Sequence, residues 1–357
     1  MLKVLFAALK YDYGRPQSGL SVEHTNFYDC LRQMPGVSAE FFPVDEEMLA
    51  SGRSSMNQKL KRKVEEEKPD LLFCYLLSEE IKKATIEYIT NKTSTRTFNW
   101  FADDHWRIPV FSRHWAPLFT LVSTTDSEAV AKYKSYGITN VIKTQWGANP
   151  FFYFTQDQKN NPGDLGVTFV GAKYGRRGAY MERLKAEGLP VSAFGSGWDG
   201  GRVNHQKMLE IFSYSKVNLN FSETYFHGAK ERLKQAVKLF IGKELGHYKF
   251  TGHHFLDNWR AMLGTRKNPI KGRVFEVLAC GGFLMTGKAD DSIGEYFVPG
   301  KEIVEFSGAD DLVDKAKYYL EHDSERQAIA KAGYERTIRE HTYIQRFEKI
   351  FKAMGLK

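Results

Sequence analysis

Two blocks of short apolar runs, with helical spacing between the runs, constrain this chain more than any other feature. In the first block the runs fall at 4–9, 37–42, 71–75, 97–101, 118–122 and 141–143. Helical patterns lie between several of them at 22–34, 56–67, 79–89 and 126–136. Runs this short and continuous suit strands buried on both faces, which a parallel sheet flanked by helices supplies. The pattern then repeats. Strands are expected at 167–170, 191–194, 217–221, 283–286 and 302–306, and helices at 179–187, 206–214, 272–280 and 310–320, before a tail that reads as helix after helix. Between the blocks, 147–164 carries Pro150, an aromatic cluster (Phe151, Phe152, Tyr153, Phe154) and a polar stretch with Pro162 and Gly163, which reads as a linker. A chain of 357 residues suits two such domains. The expected fold class is therefore α/β, with two doubly wound Rossmann-like domains facing a cleft: 1–146, then 165–340. Ligands of such sheets sit beyond the carboxyl ends of the strands.

Charge and cysteine usage narrow the class. The formal charge is +8 and the pI about 9.1, a balance that suits anionic ligands or simply surplus surface lysine. Cys30, Cys74 and Cys280 are far apart, odd in number and set in apolar contexts, so neither a disulfide framework nor a zinc site is expected. This points to a reducing compartment. The apolar run at the N-terminus is short for a signal peptide and reads as a first strand. No stretch reaches the roughly 18 apolar residues of a membrane span. A cytoplasmic location is expected, with peripheral membrane contact left open.

The stretch from Lys271 to Thr286 carries the most information. It reads as a helix that stops at Gly281 and Gly282 and turns straight into a buried strand. Lys271 and Arg273 fall at the helix start. Arg273 and Glu276, three apart, share a face. A helix start with two cations suits an anion, and an acid one turn on suits sugar hydroxyls. A surface Arg–Glu pair on an amphipathic helix is the alternative.

This stretch, with 293–304 after it, resembles the donor region of family-1-type GT-B glycosyltransferases, and among them the CgeB-like (spore-maturation) branch. The segments 167–177, 194–198, 332–336 and 341–343 are similar to that branch too. The resemblance spans about Val167 to Phe347 and is looser over the N-terminal half. It implies a glycosyltransferase of the hexosyl type using a UDP- or GDP-sugar without metal or cofactor, and a C-terminal helix, 341–357, packing back on the N-terminal domain. It further implies that Glu276 holds ribose hydroxyls and that Arg273 and Lys271 lie near the diphosphate. Arg176 or Arg177, following Gly171, supplies a phosphate-binding cation, and Ser292 and Ile293 line the diphosphate with backbone N–H groups. One departure stands out. Many retaining members carry a glutamate eight positions before the ribose-binding one, and here Asn268 stands there, so stereochemistry is not inherited.

On the N-terminal side, a strand runs into Asp103, Asp104 and His105. Acids and a histidine at a strand's carboxyl end suit proton transfer from, or binding of, an acceptor hydroxyl. A helix cap with a chance histidine is the alternative. Tyr13 and Gly14 lie in the polar loop after the first strand, an acceptor-side loop or an ordinary connection. His253, His254 and Asp257 are a weak metal pattern without a second ligand cluster, so no metal is assigned. Residues 226–273 hold eleven Lys and Arg against three acids. Part of this segment, 229–241, reads as a basic amphipathic helix, suited to an acidic membrane surface, to nucleic acid, or to packing on its own domain.

The expected activity is sugar transfer to a hydroxyl of a glycan, lipid, protein or small molecule. Transfer to modified DNA bases, another GT-B activity such as nucleotide-sugar epimerisation, and a non-enzymatic sugar-binding or coat-assembly role remain open alternatives.

Overall fold

Every residue of the first strand, Leu2–Ala8 (β1), except Lys3 is buried, as its unbroken apolar run requires. It pairs in parallel with Val37–Pro43 (β2) on one side and Leu71–Cys74 (β3) on the other, with Leu2 opposite Val37 and Val4 opposite Leu71. Arg96–Phe101 (β4), Leu121–Thr124 (β5) and Val141–Lys143 (β6) extend this sheet in the order β2-β1-β3-β4-β5-β6, all parallel. A second sheet contains Val167–Val170 (β7), Val191–Phe194 (β8), Val217–Asn220 (β9), Leu284–Gly287 (β12) and Val304–Phe306 (β13), in the order β13-β12-β9-β7-β8, again all parallel. Ile241–Glu244 (β10) and His247–Phe250 (β11) form a separate antiparallel pair. The structure, a computed structural model, describes all residues except 158–164, 224–236, 238, 245–246, 292 and 357, and only the backbone at 242–249 and 253.

The two doubly wound sheets are those expected from the apolar runs. Among the described residues, most helices also fall where the spacing put them. The helix Val44–Glu67 starts well before 56 because it includes a break at Gly52 (φ 78°, ψ 159°), a glycine-permissive geometry. The pattern at 22–34 resolves into a π-helical turn, Glu23–Tyr28, followed by Asp29–Gln33. The β10-β11 hairpin, the helix Phe255–Gly264 and the helical turns from Asp104 to Trp115 had no sequence signal. Of the basic helix expected at 229–241, positions 229–236 and 238 lie outside the described residues, and Ile241 opens a strand.

The chain forms two compact units. The first comprises Met1–Gln145, Leu233–Thr265 and Tyr343–Lys357, and the second Trp146–Arg232 and Arg266–Thr342. The C-terminal helix Tyr343–Ala353 thus packs in the first unit. Its buried residues Tyr343, Phe347, Ile350 and Phe351 share one face. Phe27 meets Tyr343 at 4.8 Å and Phe347 at 5.8 Å between ring centroids, and Phe73 meets Phe347 at 5.6 Å. The Arg346 Nε donates to the Gln145 carbonyl at 3.0 Å.

Candidate functional site

In the second sheet the order reverses at β7, with β8 on one side and β9 on the other. Segments leaving the carboxyl ends of strands at such a reversal are where α/β sheets bind ligands. The segment after β7 begins at Gly171, whose N–H donates to the Phe194 carbonyl at 2.8 Å and whose own carbonyl accepts from Trp198 Nε1 at 2.9 Å. Gly195 lies at φ +125°, and a Cβ there would stand 2.7 Å from the Gly171 carbonyl carbon. The missing Cβ at Gly195 lets the main chains after β7 and β8 come this close, while a Cβ at Gly171 would stand 2.7 Å from the Phe169 ring. The two segments singled out by resemblance, 167–177 and 194–198, therefore meet as one support.

Arg176 and Arg177 have different positions. Arg177 opens the helix Arg177–Ala186 and folds back into the interior. Its guanidinium donates to the Ala172 carbonyl at 2.9 Å and to Tyr174 Oη at 2.6 Å, and lies 3.7 Å from the Tyr174 ring centroid. A longer bond, 3.4 Å, reaches the Phe221 carbonyl just after β9. Among the described residues its Nε has no acceptor. Burial pulls its pKa below the ordinary guanidinium value, and the neighbouring Arg273 charge acts in the same direction. Arg176 is exposed, with its guanidinium 5.8 Å from the Tyr180 ring.

Arg273 opens the helix Arg273–Ala279, whose apolar side (Val274, Phe275, Val277, Leu278) is buried. Gly281 (φ 73°) closes it, donating to the Leu278 carbonyl at 2.9 Å, while Gly282 donates to Val277 at 3.1 Å. These bonds satisfy helix-end carbonyls and lead into β12. Arg273 Nη1 reaches Glu276 Oε2 at 2.8 Å, and its guanidinium lies 5.0 Å from the Phe212 ring. Glu276 is 6 % exposed. Lys271 and Gly272 are half-buried just before the helix, with Trp146 packed against Gly272. The Gly333 Cα abuts the Glu302 carbonyl, and a Cβ there would stand 2.8 Å from Leu278. His341 reaches the Tyr296 carbonyl at 2.8 Å and lies edge-on to Phe275. The C-terminal segments that carry the resemblance thus brace the helix of Arg273 and Glu276.

Asn268 is tied to the segment after β12. Its N–H donates to Asp290 Oδ2 at 2.6 Å, and its carbonyl accepts from the Asp290 N–H at 2.8 Å. Ile293 is buried at the start of a short turn, Ile293–Glu295, and Ser292 lies outside the described residues.

In the first sheet the reversal falls at β1, between β2 and β3. After β1, the Asp45 carboxylate accepts from the N–H groups of Lys10 at 2.9 Å and Tyr11 at 3.0 Å. Tyr13 (φ 53°) and Gly14 (φ 68°) sit at the exposed tip of this loop. Ser21 Oγ then donates to the Leu9 carbonyl at 2.7 Å, which sets the start of the π-helical turn and its first residue, Glu23. Burial pushes the Glu23 carboxyl up to about 7, opposed by hydrogen bonds from its own N–H and from Ser21, while the Asp12 and Glu80 charges add to the rise. Tyr75 follows β3, its phenol held well above its usual value by burial and by the charges of Glu23 and Asp103.

The three residues after β4 separate. Asp103 is half-buried and does not cap the helix Asp104–Arg107 that it precedes. Asp104 is in the core, where Tyr133 Oη donates to its Oδ2 at 2.8 Å. Burial lifts its carboxyl to about 6. His105 is also buried, and its carbonyl abuts Gly264. Glu23 and Tyr75, which sequence spacing did not single out, join Asp103 electrostatically at the carboxyl edge. A π-helical turn, common at functional sites, is the feature that marks Glu23, and it has no signature in residue spacing. Cys30, Cys74 and Cys280 are free and buried. Among the described residues, no group of three His, Cys, Asp or Glu is arranged to hold a metal, and no helix is long and apolar enough to cross a membrane.

Comparison with known proteins agrees with this architecture. A family model described as glycosyl transferase-like matches residues 253–352, the segment with Lys271, Arg273, Glu276 and Ile293. The spore protein CgeB of Bacillus subtilis (strain 168) is 22% identical over 244 residues, 68% of this chain and 70% of CgeB. The fold is similar to that of Anabaena HepE in complex with UDP, with a TM-score of 0.60 at 10% identity over 99% of this chain and 100% of HepE. It is also similar to sucrose-phosphate synthase from Thermosynechococcus elongatus, with a TM-score of 0.62 at 10% identity over 99% of both chains. The two parallel sheets match those of GT-B glycosyltransferase structures, residues 253–352 are similar to glycosyl transferase-like proteins, and the chain is distantly similar to CgeB.

Proposed function

We propose that the chain transfers a hexosyl group from a UDP- or GDP-sugar to a hydroxyl of a glycan, lipid, protein or small molecule, without metal. The observation that carries this reading is the pair of neighbouring guanidinium groups, Arg177 and Arg273, beside the buried carboxylate of Glu276. Like charges held together repel, and a bridging diphosphate turns that repulsion into attraction. Arg177 also carries an N–H without an acceptor among the described residues. Arg176 and Lys271 add cations, and the N–H of Ile293 would meet phosphate oxygens. Glu276 accepts hydrogen bonds from the ribose hydroxyls. HepE's complexes with UDP and UDP-glucose make uridine the first base to test.

The reaction needs no redox partner. The acceptor oxygen bonds to the anomeric carbon while the bond from that carbon to the diphosphate breaks. The bonding pair leaves on the diphosphate, where the arginines hold the charge. The acceptor proton passes to a carboxylate. Glu23, held up to about 7, is matched to that task. Asp103, with Tyr75 near it, orients the acceptor hydroxyl. Asp104 and His105, both buried, shape the segment that presents Asp103.

Calorimetry with UDP and GDP tests the reading, on wild type and Glu276→Ala, in EDTA and in magnesium. The expected result is binding of one nucleotide, unchanged by EDTA and weakened by the substitution. Folded wild-type protein that binds neither nucleotide refutes it.

A further inference from the structure

Large exposed hydrophobic residues are not spread evenly over this protein. Among the described residues, eight of the eighteen lie between Val237 and Leu263. The helix Phe255–Gly264 shows why they form a face. Its inner side meets the first unit: Ala261 is buried, Gly264 abuts the His105 carbonyl, and Asp257 Oδ2 pairs with Arg113 Nη2 at 2.6 Å. Its outer side presents Leu256 (67 % exposed), Trp259 (43 %) and Leu263 (42 %), at the i, i+3, i+7 positions of one stripe. Phe255 stacks with Trp259 at 6.4 Å and meets Phe240 at 5.6 Å between centroids. Phe240, Ile241 and Phe250, at the ends of the β10-β11 hairpin, are exposed as well.

The charge follows the same segment. Residues 226–265 hold seven of the 51 Lys and Arg and three of the 43 Asp and Glu, so this one segment carries half of the net charge of +8. Asp257, one of its three acids, is already paired with Arg113.

We propose that this face docks on an anionic lipid surface. Leucine, tryptophan and phenylalanine side chains enter the headgroup–acyl boundary while the Lys and Arg of the same stretch of sequence meet lipid phosphates. Nucleic acid would use the cations but has no place for Leu256, Ile241 and Leu263. A second copy of the chain would bring the same positive charge to the contact and be repelled. The face makes no use of Glu276, Arg273 or Arg177, so it stands whether or not the donor reading holds.

The test is sedimentation of the full chain with vesicles of phosphatidylcholine alone and of phosphatidylcholine mixed equally with phosphatidylglycerol. Wild type is expected to pellet with the mixed vesicles at least tenfold more than with the neutral ones, less so in high salt, with a blue shift in tryptophan emission. Leu256→Asp with Leu263→Asp is expected to lose at least tenfold of this binding with its melting temperature unchanged. Trp259→Phe keeps binding and loses most of the shift. The proposal is overturned by equal binding to both vesicles or none to either, or by undiminished binding of the double variant. It is also overturned by a wild-type dimer that the double variant dissolves, or by oligonucleotide binding that outcompetes the mixed vesicles.

Discussion

Exchanging one atom at Glu276, oxygen for nitrogen in Glu276→Gln, separates nucleotide recognition from the integrity of the helix. Gln keeps the size of the side chain and can still accept from Arg273, so the packing of Val274, Val277 and Leu278 beneath it is untouched. What changes is the strength of the bonds it offers. Hydrogen bonds to a charged group contribute about 1.5–3 kcal/mol and neutral ones about 0.5–1.5, so each loses roughly 1–1.5 kcal/mol. Ribose presents two hydroxyls, which gives about 2–3 kcal/mol in all, or a Kd weakened roughly 30- to 150-fold. Arg273 keeps 26 % of its side chain in solvent, so it rehydrates when its partner loses charge and the unliganded protein changes little in stability.

Calorimetry with UDP and with pyrophosphate distinguishes the two jobs Glu276 could do. A ribose ligand affects the nucleoside diphosphate and leaves pyrophosphate alone. A residue that only orients Arg273 on the phosphates weakens both equally. Melting gives a second reading. At a nucleotide concentration of 100 times the wild-type Kd, wild type gains about 2.7 kcal/mol, and a variant binding 50-fold more weakly gains roughly 0.6 kcal/mol. Wild-type affinity for the nucleoside diphosphate in Glu276→Gln refutes the ribose assignment. Equal weakening of UDP and pyrophosphate reassigns Glu276 to positioning Arg273.

The remaining expectations follow from burial and contact. Arg177→Ala removes two good hydrogen bonds and a ring stack, so it is expected to cost about 2–4 kcal/mol of stability on thermal melting, whereas exposed Arg176→Ala stays within about 0.5 kcal/mol yet weakens nucleotide binding. With Glu23 as proton acceptor, kcat/KM rises as pH passes up through about 7, and Glu23→Gln abolishes that limb; a limb that survives refutes the role. Asp104, lifted by burial from 3.8 to about 6, takes up a proton on folding. Its contribution is full below pH about 4 and is lost as pH rises through about 6, so the stability of Asp104→Asn relative to wild type is expected to rise by up to about 3 kcal/mol over that window in urea titrations. Gly264→Ala sets a Cβ against the His105 carbonyl and 2.8 Å from Trp106 Cα, so about 1–3 kcal/mol of destabilisation is expected, with hydrogen exchange rising first in Phe255–Gly264.

The sheets were legible because buried parallel strands write themselves as short apolar runs. Each expected run overlaps a strand, with β5 the furthest displaced because the apolar residues of 118–120 belong to the preceding turn. Arg273 and Glu276 were legible because a helix fixes which residues share a face, and the 2.8 Å contact follows from their spacing. Asp103 and Asp104 could not be told apart in this way. The helix between β4 and β5 turns Asp104 inward onto Tyr133, a partner 29 positions away with no trace in local spacing. Glu23 was hidden behind a helical pattern whose π-helical start redirects side chains without altering the apolar period. Arg176 and Arg177 are adjacent and chemically identical, and only tertiary acceptors at Ala172, Tyr174 and Phe221 decide which one is buried.

The basic segment was legible as charge but not as two different things. Its sequence is continuous, yet the boundary between the units falls at Thr265 and Arg266. Up to that point seven cations are interspersed with three acids and with the exposed rings and leucines of 237–263. Beyond it, Arg266, Lys267, Lys271 and Arg273 follow in eight residues with no acid among them, on the approach to Glu276. A cation flanked by apolar exposed side chains suits a boundary that offers both phosphate and hydrocarbon. A cation run without them, ending at a buried carboxylate, suits a soluble polyphosphate with a hydroxylated sugar attached. Screening confines each cluster's field to about 8 Å at physiological salt, so each is read most directly by its own apolar or carboxylate neighbours. On these two proposals one stretch of positive charge serves two ligands of shared phosphate chemistry, and the surrounding residues, not the charge, distinguish them.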